Sequence, residues 1–483
     1  ADAKPNKISS RKPSSVERPP QFVLLGFDGS SNLDFWTESV DFADTVKTNN
    51  PDKENKVKFT YFINPTYYTD PAYKSNYQTP GLDGKSVSCI GWADKRENIP
   101  LRVERTNNAF VKGNEIASHA NSHCDASGTD KNNPLYGRPY SFENWSSEFE
   151  QFNKLLFGVF SLNKFPEPKD YAPTGLAFKE SDVVGFRAPL LAVTDGLWPT
   201  LKKFNFRYDT SKVSSPTYWP QKQTWGGWNF PLAQIKIAGT SRTTLSMDYN
   251  WLVYHSAGAS KPNLTAEERE GFRQQMLDSY KYYFKVNYFG NRAPVHIGHH
   301  FSKWNQGAYW QAMKEFSQFV CNKPEVRCVT YTEYANWLDS VDEATMKAYR
   351  AADFEKPAEE GIIKDIAVPV LADVRIDTDI KGFEAIADSR DLNKIRSTGA
   401  RVQLQINFEG QRENSVTRGA LINKYGKGSH LTLRAALLNK NGKLIHWSTY
   451  KLTNLGLPNE NISEPIENLA NQPETAEAHN TPE

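Results

Sequence analysis

The sequence predicts an α/β fold in which a parallel sheet or barrel is followed by a β-rich domain. Short apolar runs alternate with amphipathic helical segments between residues 20 and 340. Polar residues with chemical functions directly follow several of these runs. From residue 362 to residue 457 the pattern changes to alternating, strand-like segments. Residues 20–340 are therefore predicted to form an α/β domain, and residues 362–457 a β-rich accessory domain.

The elements of the first region follow from local signals. Apolar runs bounded by turn residues predict buried strands, and a capping box at 265–268 predicts the start of a helix. Strands are expected at 22–27, 57–64, 183–186, 204–208, 295–298 and 326–331, and helices at 142–157, 265–283, 307–320 and after Thr332. In such folds, functional residues gather at the carboxyl ends of the strands.

Composition assigns the remaining segments. The polar arm 1–19 and the Asn-, Glu- and Pro-rich tail 458–483 are expected to be disordered. Residues 341–361 are charged and Ala-rich, which predicts a helical linker. Within 362–457, strands are expected at 401–408, 431–438 and 443–452, with a hairpin turn at 439–442.

The overall composition narrows the classes of function. Hydrophobic residues make up 38% of the 483 residues and aromatic residues 13%, which permits a sizeable core. A net charge of +2 argues against a nucleic-acid partner, and no apolar run reaches the roughly 18 residues of a membrane span. The aromatic content favours a carbohydrate-handling protein, because rings stack on sugar faces, although rings also fill cores. Nothing indicates an oligomeric state.

The four cysteines favour an oxidising compartment, either extracellular or periplasmic. Cys321 and Cys328 flank a short loop that a disulfide could close, which leaves Cys89 and Cys124 as the second pair. That second bridge would brace the segment around His123. Four reduced core cysteines are the alternative. A structural zinc site is weakly supported, because no Cys-x-x-Cys pair occurs.

His119 and His123 lie four residues apart in the segment 116–125. Two imidazoles at this spacing can point the same way over one turn and provide two ligands for a transition metal. A zinc metalloprotease would carry a glutamate after the first histidine, where this chain has Ala120. Two surface histidines that are close by chance are the alternative interpretation.

Other chemically capable residues also follow predicted strands. Asp28, Arg187 and the pair His299–His300 each stand at such a position. Because parallel strands end at one edge of a sheet, we expect these side chains to lie close together. Strand alternation places His296 and His300 on one face and His299 on the other, so at most one of them is expected to be catalytic.

In order, these segments resemble the motifs of the polysaccharide deacetylases of carbohydrate esterase family 4, the NodB-homology domain. The resemblance covers about residues 20–340. It rests on the segments 25–30 (LGFDGS), 115–123 (EIASHANSH), 187–190 (RAPL), 247–248 (MD) and 291–301 (NRAPVHIGHHF). The last segment has the form seen in insect chitin deacetylases. The family implies a distorted (β/α) barrel and metal-dependent hydrolysis of an N-acetyl group.

The resemblance assigns His119 and His123 to a divalent metal, most often zinc, and Asp28 to the general base that takes a proton from water. The first motif departs from the family pattern, which has two consecutive aspartates, a base and then a metal ligand. Here Asp28 is followed by Gly29. Either Asp28 keeps the base position and the metal has two protein ligands, or Asp28 is the ligand and another group, such as Asp34, is the base.

The later motifs imply a general acid and its partner. His300 would protonate the leaving amine, tuned by Asp248. The segment 247–251 matches the family loosely, so Asn250 is an alternative to Asp248 at this position. Asp209, which follows the strand expected at 204–208, is a further candidate.

Arg187 would orient and charge-pair Asp28, and the backbone N–H of Leu190 would stabilise the tetrahedral oxyanion together with the metal. A buried salt bridge at a strand end is the plain alternative for Arg187. The aromatic segment 218–228 is expected to line a sugar cleft, with Trp228 as a substrate-binding residue. Alternatively, this loop packs on its own aromatic rings.

The sequence therefore predicts a secreted or periplasmic hydrolase that removes N-acetyl groups from N-acetylglucosamine units of a polysaccharide. Peptidoglycan is mildly favoured as the substrate, and chitin is the alternative. A catalytically decayed, glycan-binding relative is a rival interpretation, supported by Gly29. An adhesin or scaffold dominated by residues 362–457 is another.

Overall fold

The fold is described from a computed structural model. The structure describes residues 16–357 except Lys53 and Ser241, and the backbone of residues 401–408, 411–413, 430–438 and 444–453. The expectations for residues 1–15, for the hairpin turn at 439–442 and for the tail at 458–483 lie outside the described residues. The domain boundaries stay predictions.

A parallel sheet forms the centre of the first region. Its strands and their neighbours are, in chain order, β1 (Gln21–Asp28), β2 (Thr60–Ile63), β3 (Glu115–Ser118), β4 (Gly185–Phe186), β5 (Tyr208–Asp209), β6 (Val213–Ser214), β7 (Trp228–Asn229), β8 (Leu232–Lys236), β9 (Thr243–Leu245), β10 (Val295–His300) and β11 (Val326–Cys328). The sheet order is β10-β1-β2-β3-β4-β5-β7, and β11 pairs with the start of β1. All of these pairings are parallel, which confirms the predicted α/β class.

The wall between β7 and β10 is irregular. Here β6, β8 and β9 form a separate small sheet. The Gly298 N–H of β10 donates to the Ser246 carbonyl at 2.9 Å, and the Ser246 N–H donates to the Ala233 carbonyl of β8 at 2.8 Å. These bonds connect β10 to β8 through the segment after β9. The result is a distorted (β/α) barrel, as predicted, although β6, β8 and β9 were not foreseen.

Ten helices of the described chain accompany the strands: α1 (Leu33–Thr45), α2 (Asn98–Val111), α3 (Phe142–Phe157), α4 (Val159–Leu162), α5 (Leu197–Lys203), α6 (Asp248–Ser256), α7 (Ala266–Tyr288), α8 (Trp304–Val320), α9 (Tyr331–Ser340) and α10 (Glu343–Arg350). The capping box at Thr265 starts α7 as predicted, but the helix continues five residues beyond the expected end, 283. Thr330 caps α9, because its hydroxyl accepts from the Glu333 N–H, so the expected cap at Thr332 is wrong.

Strand register brings the candidate residues to one end of the barrel. Every residue of β1 is buried, as expected for a strand covered on both faces. Asp28 at its end stands beside His300 of β10. On the other side, β2 and β3 end level with each other, and the end of β3 pairs with Phe186 of β4. The residues that follow β3 and β4 therefore emerge at the same edge as Asp28.

The C-terminal strands form an antiparallel sheet. They are β12 (Arg401–Phe408), β13 (Gln411–Glu413), β14 (His430–Leu438) and β15 (Leu444–Thr453), in the order β13-β12-β14-β15. Strands were expected at three of these four places, and the short β13 was not expected.

Both predicted disulfides are formed, Cys89–Cys124 and Cys321–Cys328. Among the described residues, no helix combines the length and apolar character that crossing a membrane requires.

Candidate active site

A cavity of about 680 Å³ opens at the carboxyl ends of β1, β3 and β10. Its floor carries Asp28, His119, His123 and His300. The rest of its wall combines hydroxyl, amide and acidic groups with apolar and aromatic side chains: Gly29, Ser30, Ser31, Asn64, Tyr67, Ile90, Asp125, Ser127, Thr129, Asp130, Ala188, Leu190, Leu191, Ala192, Leu245, Met247, Tyr249, Asn250, Phe301, Ser302 and Trp304. A concave site with convergent polar groups is typical of small-molecule or polymer-end recognition.

Asp28 and Arg187 form a buried ion pair below this floor. Arg187 Nη1 donates to Asp28 Oδ1 at 2.7 Å. The guanidinium also donates to Thr210 Oγ1 and lies over the Phe62 ring at 4.3 Å. Burial is the largest single effect and raises the pKa of Asp28, but Arg187, His119 and His300 together outweigh it, so the pKa lies below its ordinary value. Asp28 is therefore an ionised carboxylate held in one orientation.

The two metal-candidate histidines lie on a loop after β3, not on a helix. Ala120 and His123 adopt left-handed backbone conformations, with φ of 54° and 55°. His119 Nδ1 lies 2.7 Å from the Arg187 carbonyl, which fixes its proton on Nδ1 and leaves Nε2 as the free acceptor. Nε2 lies 3.8 Å from Asp28 Oδ2, and the rings of the two histidines are 4.9 Å apart.

Three contacts hold this loop from behind. Glu148 of α3 accepts from the Asn121 N–H at 2.9 Å and from the Tyr77 hydroxyl at 2.8 Å. The Tyr77 hydroxyl also contacts Ser122 Oγ at 3.0 Å. The Cys89–Cys124 bridge ties the residue after His123 to a neighbouring loop. The loop is thereby held at Asn121, Ser122 and Cys124.

The donor chemistry of the histidine pair suits a divalent ion. Burial lowers the pKa of His119, and burial lowers the pKa of His123 to about 3. Both rings are therefore neutral near pH 7, the form that binds metals. Within the described part of the chain, however, no group of three or more His, Cys, Asp or Glu side chains is placed to hold an ion. The two histidines could therefore supply two of the ligands of a metal site.

The expected third ligand position falls on Gly29, whose φ is +104°. A side chain there would adopt a strained backbone conformation and meet the Phe301 ring at 3.6 Å. Asp34 lies exposed in the first turn of α1, outside the cavity, so it does not supply a base or a ligand. Asp125 lines the cavity, but its two carboxylate oxygens accept from the backbone N–H groups of Ser127, Thr129 and Asp130.

Asp248 and His300 form the second charged pair of the site. His300 Nδ1 lies 2.6 Å from Asp248 Oδ1, and the His300 N–H donates to Asp248 Oδ2 at 2.9 Å. Burial lowers the pKa of His300, but the Asp248 carboxylate more than compensates, so the net shift is upward. Asn250 also lines the cavity. Asp209 lies outside it, bonded to Ser211, and burial raises its pKa to about 6.

The three histidines of β10 divide as strand alternation predicts. His300 and His296 face the barrel interior, where His296 stacks on Phe230 and Tyr331. His299 faces outward, and its Nε2 lies 2.9 Å from the Tyr280 hydroxyl. Only His300 of the three lines the cavity.

Leu190 lies at the cavity rim in a left-handed conformation, with φ of 58°, and its side chain is 55% exposed. No acceptor for its N–H is found among the residues that the structure describes. A free N–H at the edge of a reactive cavity is the geometry that oxyanion stabilisation requires.

The structure corrects the assignment of Trp228 as a substrate-binding residue. Trp228 is 6% exposed, lies outside the cavity and donates from its indole N–H to Asp339 at 3.0 Å. Its neighbours Trp219 and Trp225 are also buried. This aromatic segment packs into the core, because the carboxylate at the end of α9 satisfies the one polar atom of the Trp228 ring.

Sequence reasoning missed four residues of the site. Trp304 and Tyr249 line the cavity, and Asn64 and Glu148 hold the histidine loop. The Asn64 side chain donates to the His119 carbonyl at 2.6 Å. A usable signal existed only for Trp304, which follows His300 by four residues.

Comparison with protein-family models finds no match, and comparison with curated proteins finds none either. Solved structures do match. A candidate polysaccharide deacetylase from Mycobacterium smegmatis is 13% identical, with a TM-score of 0.40, and the match covers 68% of this chain and 94% of that chain. A chitin deacetylase from the fungal pathogen Colletotrichum lindemuthianum is 12% identical, with a TM-score of 0.31 and coverages of 66% and 91%.

A 4-alpha-glucanotransferase from Thermococcus litoralis also matches, with 11% identity, a TM-score of 0.32 and coverages of 66% and 40%. The first two matches are of the kind that the motifs resemble. Similarities this low carry no argument about activity, so the chemistry has to be argued from the site.

Proposed function

We propose that this chain is a metal-dependent hydrolase that removes N-acetyl groups from N-acetylglucosamine units of a polysaccharide. One observation carries the proposal. A buried Asp28–Arg187 pair, two neutral imidazoles and the His300–Asp248 pair reach one cavity from three different strands. An activated water, a base and an acid around one carbonyl are what amide hydrolysis needs near neutral pH.

His119 and His123 would hold the ion. When bound, a divalent metal lowers the pKa of a coordinated water and polarises the carbonyl oxygen. Arg187 keeps Asp28 ionised and fixed, so its free oxygen Oδ2 is available to accept a proton from the attacking water. Asp28 is thus assigned to the base position, since its other oxygen is committed to Arg187.

His300 would supply the proton that the leaving amine needs. Its raised pKa keeps the imidazole protonated over a wider range of pH, and Asp248 fixes the ring so that Nε2 faces the cavity. The Leu190 N–H would donate to the oxygen on which negative charge develops. Leu190 follows β4 and His300 ends β10, so the donor and the acid reach the cavity from different strands.

One feature supports an extracytoplasmic polysaccharide as the substrate. The two disulfides favour secretion or the periplasm, where peptidoglycan and chitin are found. We favour peptidoglycan mildly, as the sequence did, and chitin or its oligosaccharides remain the alternative. Both polymers contain N-acetylglucosamine, so the reacting group is the same.

A second candidate is a glycan-binding protein without catalysis. Gly29 favours it, because glycine offers no side chain at the position of the expected third ligand, and the described residues hold no group of three metal-binding side chains. A protein of this kind would bind glycans in the cavity without binding a metal ion.

Acetate release from N-acetylated glycans by the wild type and by His119→Ala, each with added zinc, tests the proposal. We expect release by the wild type and at least a hundredfold loss in the variant, since second-shell changes alone already cost about 10–100-fold. Tyr171→Ala, an exposed residue outside the cavity, is the control. Equal release by wild type and His119→Ala would refute the mechanism. Glycan binding without release or bound zinc would favour the second candidate.

A further inference from the structure

One wall of the cavity is aromatic, and the proposed chemistry does not use it. The Trp304 ring lies 5.1 Å from the His300 ring, and the Tyr249 ring lies 5.8 Å from Trp304. Both rings line the cavity and are partly exposed. The site therefore presents an aromatic ring surface next to the proposed general acid His300.

The backbone directly after Trp304 is strained. Asn305, Gln306 and Gly307 adopt left-handed conformations, with φ of 49°, 57° and 75°. Left-handed conformations are unfavourable for L-residues other than glycine, so a run of them persists only where the surroundings enforce it. Backbone strain of this kind clusters at functional sites.

Asn305 is the residue that enforces the turn. It is fully buried, and its N–H donates to Ser260 Oγ at 2.8 Å. Its Oδ1 accepts from the Lys261 N–H at 2.8 Å, and its Nδ2 donates to the Tyr309 hydroxyl at 2.9 Å. These bonds tie the turn to the loop after α6 and to α8. Trp304 is thereby held at a fixed place on the cavity wall.

We infer that Trp304, together with Tyr249, is a platform for the sugar ring adjacent to the one that loses its acetyl group. The inference rests on the proposed function. A pyranose offers an apolar face of C–H groups that packs on an aromatic ring, and the platform borders the acid that protonates the new amine. The protein should therefore hydrolyse longer oligosaccharides in preference to shorter ones, and Trp304 should determine this preference.

The test compares chain-length selectivity. The ratio of kcat/KM for acetate release from chitopentaose to that from chitobiose is measured for the wild type, Trp304→Ala and Trp304→Phe. We expect Trp304→Ala to lower this ratio about tenfold, mainly through KM for the pentamer, which corresponds to a loss of about 1.4 kcal/mol of binding free energy. Trp304→Phe should retain most of the ratio, because it keeps a ring. Tyr171→Ala, an exposed ring elsewhere, should leave it unchanged.

An unchanged ratio in a folded Trp304→Ala protein would overturn the platform while leaving the hydrolase proposal intact. Absence of acetate release by the wild type would instead count against the hydrolase. In that case calorimetric binding of chitopentaose decides the platform: weaker binding by Trp304→Ala and Tyr249→Ala supports it, and equal binding refutes it. Asn305→Gly tolerates the left-handed turn but removes the side-chain bonds. If Asn305 positions Trp304, Asn305→Gly should lower the chitopentaose-to-chitobiose ratio of kcat/KM, but by less than Trp304→Ala does.

Discussion

Arg187 donates to Asp28 over 2.7 Å, and neither side chain is more than 3% exposed. The two residues lie 159 positions apart and end two different strands of the barrel. Truncation of one partner leaves the other as a buried, unpaired charge, which typically costs 3–5 kcal/mol. The pair therefore links the stability of the barrel to the chemistry of its cavity.

Arg187→Met is expected to lower the free energy of unfolding by about 3–5 kcal/mol at pH 7. The pKa of Asp28 is depressed in the folded wild type, so this carboxylate stabilises the fold above its unfolded-state pKa. That contribution is lost as the pH falls through the folded-state pKa. Without Arg187, burial dominates and raises the pKa of Asp28, so the variant should be penalised less at pH 4 than at pH 7. Urea denaturation at both values measures this.

Arg138→Met is the matched control, because Arg138 and Asp83 form an exposed pair at 3.7 Å. Its unfolding midpoint should equal that of the wild type. A stable Arg187→Met protein would show that the buried pair contributes nothing to the fold.

Glu148→Ala should loosen the histidine loop. The Asn121 N–H would be left buried without its acceptor, at a cost of about 1–3 kcal/mol, while the Tyr77 hydroxyl could still donate to Ser122 Oγ. We expect weaker zinc binding by calorimetry together with a lower unfolding midpoint. Glu150→Ala lies on the same helix in an exposed pair with Lys203, and both quantities should stay at wild-type values there. Unaltered zinc affinity in Glu148→Ala would separate this carboxylate from the site.

The two disulfides should differ in their effect on function. The loop-entropy relation gives about 4 kcal/mol for the Cys89–Cys124 bridge, whose ends are 35 residues apart. The same relation gives about 2.5 kcal/mol for Cys321–Cys328, whose ends are 7 apart. Paired Cys→Ser variants of each bridge should both unfold earlier, but only the first should weaken zinc binding, since only Cys124 adjoins His123. Equal zinc affinities in the two double variants would contradict this.

Asp248→Asn should move the pH dependence of acetate release. In the wild type, Asp248 raises the pKa of His300, so the acid form persists to higher pH. Loss of the carboxylate lowers that pKa, and the alkaline limb of kcat/KM should shift to lower pH. NMR titration of the His300 ring checks the same shift without turnover. Asp209→Asn, a buried carboxylate outside the cavity, should leave the limb in place, and a common shift in both variants would argue against the pair.

Much of the site could be predicted because it depends on strand ends. The apolar run that forms β1 ends at the polar residue Asp28, which made the end of the strand recognisable. Parallel pairing then brings Asp28, the histidine loop and His300 to one edge of the sheet. The disulfide pairing was also accessible, because the six residues between Cys321 and Cys328 suit a short closed loop. These inferences need only local patterns and one rule about parallel sheets.

The errors concern side chains whose surroundings come from distant parts of the chain. Trp228 was assigned to the cleft from its aromatic neighbours, but its partner Asp339 lies 111 residues further on. Glu148 was missed because no local sequence pattern indicates its contact with Asn121, 27 residues earlier. The amino-acid composition shows that aromatic side chains are abundant, but it does not determine whether a given side chain faces the core or the cavity.

Gly29 occupies a backbone conformation that side chains rarely adopt, with Phe301 packed against the place where a Cβ would stand. An aspartate introduced here would have to adopt a strained backbone conformation at the end of β1, although Phe301 leaves room for its Cβ. Gly29→Asp is therefore a costly route to a third ligand. A selection for tighter zinc binding should recover a new oxygen donor on another loop before it recovers Gly29→Asp alone.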